Sequence, residues 1–275
     1  MKKLLFLSLF VSLNIQAQET QPERYTAHNK GKFFFFWGGN REKYSKSDIS
    51  FSGDGYDFTI YDVKAVDKPK GWHMDYINPL EMTIPQTNFR LGYFINDHYN
   101  ISIGVDHMKY VMVQDQRVSI SGNYPAGYVG NQINNGVVDL TDKEFLTFEH
   151  TDGLNYILTE FSRVDDISKI FNIANTDKFQ INATEGIGAG ILYPKSNTKL
   201  MGKERYDDFH VAGYGISAKA GLNFTIFKHF FIQTELRGGY INMPDIRTTH
   251  STTDKASQDF YFVQTIVAFG GIFKI

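Results

Sequence analysis

Glu149-His150-Thr151-Asp152-Gly153-Leu154-Asn155 gathers a base, a hydroxyl and carboxylates into one short stretch of the chain. An imidazole with a hydroxyl and a carboxylate nearby can act as general base for ester hydrolysis. The candidate catalytic residues are His150, Thr151 and Asp152, with Glu149 or Glu160 to orient the imidazole. On a regular strand alternate residues share a face, so His150 and Asp152 lie with Leu154 and Tyr156, a face that reads as lipid-facing. Thr151 then points the opposite way, and only a β-bulge near Gly153 brings hydroxyl and imidazole together. The competing reading is plainer: a polar rim at a membrane boundary.

A second set of chemistry-bearing residues alternates with apolar ones along several stretches. Arg90, Asp106, Lys219, Gln233, Glu235, Arg237 and Gln264 fall on the faces opposite to runs of Phe, Ile, Leu and Val. Both signs are present, as a dry interior requires if its charges are to be paired. This set is read as a structural interior network, with a proton or small-solute path as the alternative. Ser52 to Asp62, SGDGYDFTIYD, concentrates Asp54, Asp57 and Asp62 with glycines but without the ligand order of a calcium loop, so it reads as turn chemistry. Gly186-Ile187-Gly188-Ala189-Gly190 lies within a strand pattern with no helix after it, so it is no dinucleotide loop. No cofactor and no metal is expected.

These residues need strands to position them. The last stretch, Ser257 to Ile275, puts Tyr261, Val263, Thr265, Val267, Phe269 and Phe273 on one face, and Phe260, Phe262, Gln264, Ile266 and Ala268 on the other. It is longer than the usual strand of about 5–6 residues and suits a tilted membrane crossing of roughly 9–11. Seven earlier stretches read as crossings: 33–40, 88–95, 99–113, 143–163, 179–193, 212–225 and 230–240. The fourth is the least regular, and Glu185 in the fifth falls on the apolar face, a misfit that a bulge would repair. With eight crossings the long segments 44–85, 114–142, 194–207 and 243–256 share one side, as outer-membrane barrels require. Taking both Gly53-Asp54-Gly55 and Asp152-Gly153 as membrane-level turns gives ten. The expected fold is all-β: a closed antiparallel transmembrane β-barrel of about eight strands, with a secreted two-sheet sandwich as the soluble alternative. Trp37, Tyr93, Tyr99, Tyr193 and Tyr240 suit interfacial girdles.

The chain opens with Lys2 and Lys3, an apolar run Leu4 to Leu13, and Ile15-Gln16-Ala17, the pattern of an export signal. The expected organisation is a signal peptide over 1–17, a leader over 18–32 and a barrel over 33–275. Removing the signal takes away two lysines and moves the net charge from −2 to −4, a balance that makes no electrostatic case for nucleic acid. Cysteine is absent, so the fold must close without disulfides. No apolar run after the signal reaches 18 residues, so a membrane form must be a barrel with every backbone group paired.

The signal, the alternating strands, the one-sided long loops and the aromatic closing strand together resemble the small outer-membrane β-barrel proteins of Gram-negative bacteria. The Glu149–Asn155 stretch is locally similar to the His-x-Ser-Asn-x-Gly segment of the outer-membrane lipid A 3-O-deacylases, which are small eight-stranded barrels. Asp152 stands where that family has its serine. The first resemblance implies a chain exported to the outer membrane, with membrane lipid and lipopolysaccharide as surroundings and an unknown external ligand. The function expected is non-enzymatic: a side-chain-filled barrel presenting loops for structural or binding roles. The alternative implied by the second resemblance is a lipid A or phospholipid ester hydrolase centred on His150.

Overall fold

The computed structural model describes residues 28–68, 86–130, 132–206 and 208–275. The expected signal segment 1–17, most of the leader, and the loop expected over Pro69–Gly71 and Asn78-Pro79 lie outside these residues. Eight long strands follow one another around a closed wall: β1 (Phe33–Tyr44), β2 (Thr87–Phe94), β3 (Tyr99–Met112), β4 (Leu146–Asp166), β5 (Phe179–Leu192), β6 (Gly213–Ile226), β7 (Phe230–Arg247) and β8 (Lys255–Phe273). Each pairs antiparallel with its neighbours in the chain. β8 closes the ring on β1 in unbroken register from Phe33↔Phe273 to Tyr44↔Phe262. Closure leaves the barrel no edge strand, the condition for spanning hydrocarbon with strands.

The period-two pattern sorts the wall into two faces. Outward and exposed are Phe35 and Trp37 on β1, Leu91 on β2, Ile103 on β3, Phe161 on β4, Ile187 on β5, Ile216 on β6, Leu236 on β7 and Val267 on β8. The other face, from Phe36 through Gln264, is buried. A soluble barrel would solvate its outside. This one clothes it in aliphatic and aromatic side chains, and Trp37 alone is 57% exposed. Trp37, Tyr93, Tyr99, Tyr193 and Tyr240 all lie on the outer surface. The belt's exposed apolar side chains run from Ile157 to Phe161 on β4, Ile101 to Ile103 on β3 and Tyr261 to Phe273 on β8, and these mark the spanning parts. Glu185, expected to force a bulge in β5, instead faces outward in a regular ladder, opposite Arg163 on β4 and Ala220 on β6.

At one end the turns are short. Asn96 accepts hydrogen bonds from the His98 and Tyr99 amides at 2.9 and 2.8 Å, an Asx turn. Phe227 and Lys228 take left-handed φ of 50° and 65°. The 164–177 connection carries one 3₁₀ turn, Ser168–Phe171.

At the other end the strands run on. β4, β7 and β8 have 21, 18 and 19 residues, well beyond the roughly 9–11 that a crossing needs. The segments read as loops are largely built structure. The hairpin Ser47–Gly53/Tyr56–Val63 turns at Asp54-Gly55, with Gly55 at φ 79°. It pairs onto the start of β8, Ile49↔Gln258 to Ser52↔Lys255. The strand Arg117–Asn123 then pairs with Tyr56–Val63, and Val137–Asp139 with Arg117–Asn123. The stretch 243–247, expected to be polar loop, continues β7, because Met243 and Ile246 are buried. Neither Gly53-Asp54-Gly55 nor Asp152-Gly153 is a membrane-level turn, so the count is eight and not ten.

This head has an apolar core of its own. Ile49, Phe51, Phe58, Ile60, Phe145 and Phe148 are all at most 1% exposed. Phe51 stacks on Phe58 at 5.3 Å and meets Phe148 edge-on at 5.7 Å.

Two expectations follow. Because the wall closes covalently adjacent strands into a ring, the protein should migrate faster on a detergent gel before boiling than after. Phe58→Ala empties a core position, a change of about 3–5 kcal/mol in comparable cores; limited proteolysis should then cut the head while the 261–273 segment stays protected.

Candidate functional site

The inward charges converge at mid-height. Arg90 on β2 grips Asp106 on β3 from both nitrogens, Nη1 to Oδ1 at 2.8 Å and Nη2 to Oδ2 at 2.9 Å. Asn88 also donates to Asp106, and Asn40 on β1 donates to Asn88 at 2.8 Å. Arg237 on β7 donates to Glu160 on β4 at 2.6 Å and to Glu235 at 3.2 Å, and its Nε lies 3.7 Å from Asp106. Lys219 on β6 bridges Glu160 and Glu235 at 2.5 and 3.0 Å. Gln233 donates to Glu235 at 2.5 Å, and Arg237 to Ser217 at 3.1 Å. Three cations thus face three carboxylates. Fork-shaped guanidinium pairing of this kind is the strong form of charge-assisted bonding.

The structure brings Arg90, Asp106, Lys219, Gln233, Glu235 and Arg237 into one network and adds Glu160, which the sequence reading had reserved for another role. Gln264 is inward but one level away. It donates to Glu42 at 2.9 Å, while Gln86 ties Glu42 to Asp67 at 2.6 and 2.5 Å.

Below the charges, toward the short turns, Phe34, Phe36, Phe94, Phe231, Ile266 and Ile272 form a second apolar cluster. A cavity of about 30 Å³ lies between, lined in part by Asn182, Asn223 and Gln233. It has room for a water or two, since one needs about 10–15 Å³. Above the charges, Tyr156 and Leu158 lead into the core of the head. The lumen is therefore stacked apolar, ionic, apolar.

His150, Thr151 and Asp152 do not come together. The β3–β4 ladder slips between His150↔Tyr110 and Leu154↔Met108, so β4 carries two extra residues there. Gly153 takes φ 133° at the bulge, a conformation that suits only glycine. The face expected to meet lipid is the inner one, because Glu160 and Ser162 share its parity and need buried partners. His150 is consequently 0% exposed, behind Tyr110 and Phe148 at ring distances of 5.7 and 5.0 Å. Its Nδ1 is 2.8 Å from the Ser196 hydroxyl. Thr151 donates to Glu149 at 3.1 Å, and Asp152 stands exposed, 3.6 Å from Lys195. The bulge foreseen as the way to join hydroxyl and imidazole exists, yet it parts them.

Burial pushes the His150 pKa down to about 3, against a smaller upward pull from Gln258. Ser196 and Gln258, its polar neighbours, were not picked out from the sequence. Both follow alternating patterns in segments that read as loop or closing strand. Among the described residues no group of three or more His, Cys, Asp or Glu side chains could hold a metal ion.

Closure, an apolar outer belt and a polar filled lumen decide the architecture. The fold is that of a small outer-membrane β-barrel. No protein-family model matches the chain and no curated protein sequence matches it. Among solved structures it is similar to the outer membrane protein OprG of Pseudomonas aeruginosa (10% identity, 90% of this chain and 99% of that one, TM-score 0.39). It is similar also to neisserial surface protein A (11%, 86% and 96%, TM-score 0.31). A third is Ail, the attachment invasion locus protein of Yersinia pestis, solved with the heparin analogue sucrose octasulfate (9%, 89% and 99%, TM-score 0.29).

Two measurements test the site. Removing one partner of a buried charge network costs about 3–5 kcal/mol, so Arg237→Ala should lower the urea midpoint of unfolding markedly. Arg237→Met with Glu160→Gln, which removes a cation and an anion together, should cost less. For His150 the unfolded chain titrates near 6.5, whereas the folded group stays neutral down to about 3. Between these values the unfolded state binds more protons, so the contribution is complete above pH about 6.5 and is lost as pH falls toward 3. His150→Gln should flatten the stability profile of the head over that window.

Proposed function

We propose that the protein is a non-conducting outer-membrane barrel of a Gram-negative envelope, exported by its N-terminal signal, that holds a rigid β head outside the membrane for structural or binding roles. The observation that carries this reading is the pairing of a closed lumen with a built far end. Three cations and three carboxylates neutralise one another across the bore, and apolar layers cap them on both sides. No solute larger than water passes such a stack without breaking buried ion pairs. Meanwhile the chain beyond the belt is spent on paired strands and an aromatic core. Long ordered segments of that kind are usually functional. The surroundings on this reading are outer-membrane lipid and lipopolysaccharide, with an external ligand still to be identified and no role for nucleic acid.

The hydrolase reading centred on His150 rests on the 2.8 Å contact between imidazole and Ser196 hydroxyl. Both groups are sealed, at 0% and 4% exposure, and Thr151 engages Glu149 instead. A base for leaflet esters has to meet them. The geometry therefore favours a packing role for His150.

Three outcomes test the proposal. Planar-bilayer recordings should show no high, stable conductance; a steady large pore would mean that the plug opens. Protease added to intact cells, at doses above those that cut the Phe58→Ala head, should reach 44–85 or 114–142 and spare 164–177, and the reverse would invert the orientation. Mass spectrometry of lipid A and phospholipids from cells with and without the protein should give identical acylation, whereas a missing acyl chain that returns with His150→Ala would establish the hydrolase.

A further inference from the structure

The same slip that buries His150 reshapes the outer wall. Below the bulge Asn155 faces outward opposite His107, with His107 Nδ1 2.8 Å from Asn155 Oδ1. The chain leaving β5 folds over the extra residues. The Tyr193 amide donates to the Asn155 carbonyl at 2.9 Å, and the Lys195 amide to the Gly153 carbonyl at 3.0 Å. Asn155 Nδ2 donates to the Tyr193 carbonyl at 3.1 Å. Lys195 in turn bridges to Phe209, and the Tyr193 and Phe209 rings stack at 5.3 Å and 19°. These two rings stand up from the wall on one side, and Phe89 and Leu91 stand up on the other. Between them lies a shallow, open outward groove of about 450 Å³, lined also by Ile103, Val105 and Ile157.

The groove is continuous with the lipid-facing belt. Its floor, Ile103 at 60% and Ile157 at 41% exposure, belongs to the spanning parts of β3 and β4. Whatever fills it comes from the hydrocarbon side and is apolar. Tyr193 and Lys195 are two residues apart along an extended, alternately buried segment, so they share a face, and Lys195 stands past the aromatic wall at the head end. There Asp152 lies 3.6 Å from its ammonium, on the rim. A lysine at the water boundary beside an apolar wall meets an anionic headgroup only by sharing its charge between the lipid phosphate and such a carboxylate, which it does most readily for a doubly anchored lipid.

We propose that this groove is a specific lipid seat: it takes one acyl chain of an anionic phospholipid, with the phosphate at Lys195. The proposal rests on the membrane-spanning reading above. It assigns a function to Tyr193 and Phe209 that neither the plug nor the head requires.

The test uses the whole protein in nanodiscs of phosphatidylethanolamine with a minor share of phosphatidylglycerol whose acyl chain carries a photoreactive diazirine. Peptide mass spectrometry then maps the adducts. Adducts should concentrate on the peptides holding Ile103, Ile157 and Tyr193–Phe209, several-fold above those holding Ile216 and Leu236 on the opposite wall. Ile157→Trp fills the groove and should remove that excess while leaving the opposite wall unchanged. Ile103→Trp serves the same purpose if the first variant folds poorly. Lys195→Gln should lower labelling by phosphatidylglycerol to the level given by a phosphatidylcholine probe with the same chain. Even labelling around the barrel, or an excess that survives both tryptophans, overturns the seat. An excess indifferent to Lys195→Gln overturns its anionic headgroup. A chain that stays out of the nanodisc altogether overturns the membrane reading, and the seat with it.

Discussion

The contact on which the rest of the structure depends is the Arg237 guanidinium among Glu160, Glu235 and Asp106. Those acids come from β4, β7 and β3, and Lys219 on β6 and Arg90 on β2 complete the set. Through Asn88 and Asn40 the same network reaches β1. Most of the staves therefore contribute a polar group to one small volume. In a strand a one-residue slip moves every side chain to the opposite face. Here a slip of any stave that supplies one of these charges would carry it out to hydrocarbon and strip its partner inside, at the cost that an unpaired buried ion incurs. Apolar packing alone tolerates exchanges among Leu, Ile and Phe. The ion lattice does not, and so it fixes register.

That fixed register is what lets the strands continue beyond the belt as ordered structure. β4, β7 and β8 leave the bilayer already paired, so the hairpin at 47–63 finds a template in the start of β8 rather than a loose end. The edge that this pairing creates is passed outward, to 117–123, to the three-residue strand 137–139 and last to the two-residue strand 133–134, and short terminal strands are the usual way to blunt an edge. Aromatic side chains fill the space enclosed. The head is in this sense an extension of the barrel wall and not a set of loops hung on it.

Much of this was legible in the sequence, because the code for a barrel wall is simple alternation. β6 and β8 show it without interruption, and both faces of each were assigned as the structure has them. β4 was obscured. Leu154, Tyr156 and Leu158 are as apolar as Ile157, since the top of the lumen is an apolar layer, and hydropathy cannot separate two apolar faces. Charge could have done so. The inward set read from sequence held Arg90, Lys219 and Arg237 against only Asp106 and Glu235, and a dry interior needs a third acid. Glu160 is that acid, and admitting it turns His150 inward too. The built nature of 243–247 and of 117–123 was hidden for another reason: strands that pair above a membrane have no belt to satisfy, so their outer faces read as polar loop.

The bulge between His150 and Leu154 ties these threads together. Two extra residues keep parity, so His150, Leu154 and Tyr156 stay on the inner face and the ion lattice beneath is undisturbed. An insertion of one would have reversed every residue on one side of it. The extra length has to go somewhere, and Gly153 lets it leave the wall outward, where the Lys195 amide caps the Gly153 carbonyl. Capping that carbonyl draws Tyr193 and Phe209 across the outer surface, and the space beside them is the groove. A local demand of backbone hydrogen bonding, that no displaced carbonyl be left bare near hydrocarbon, thus converts a ladder defect into a shaped surface. The stretch that looked catalytic in the sequence acts through its backbone: what it alters lies on the opposite side of the wall from the histidine that drew notice to it.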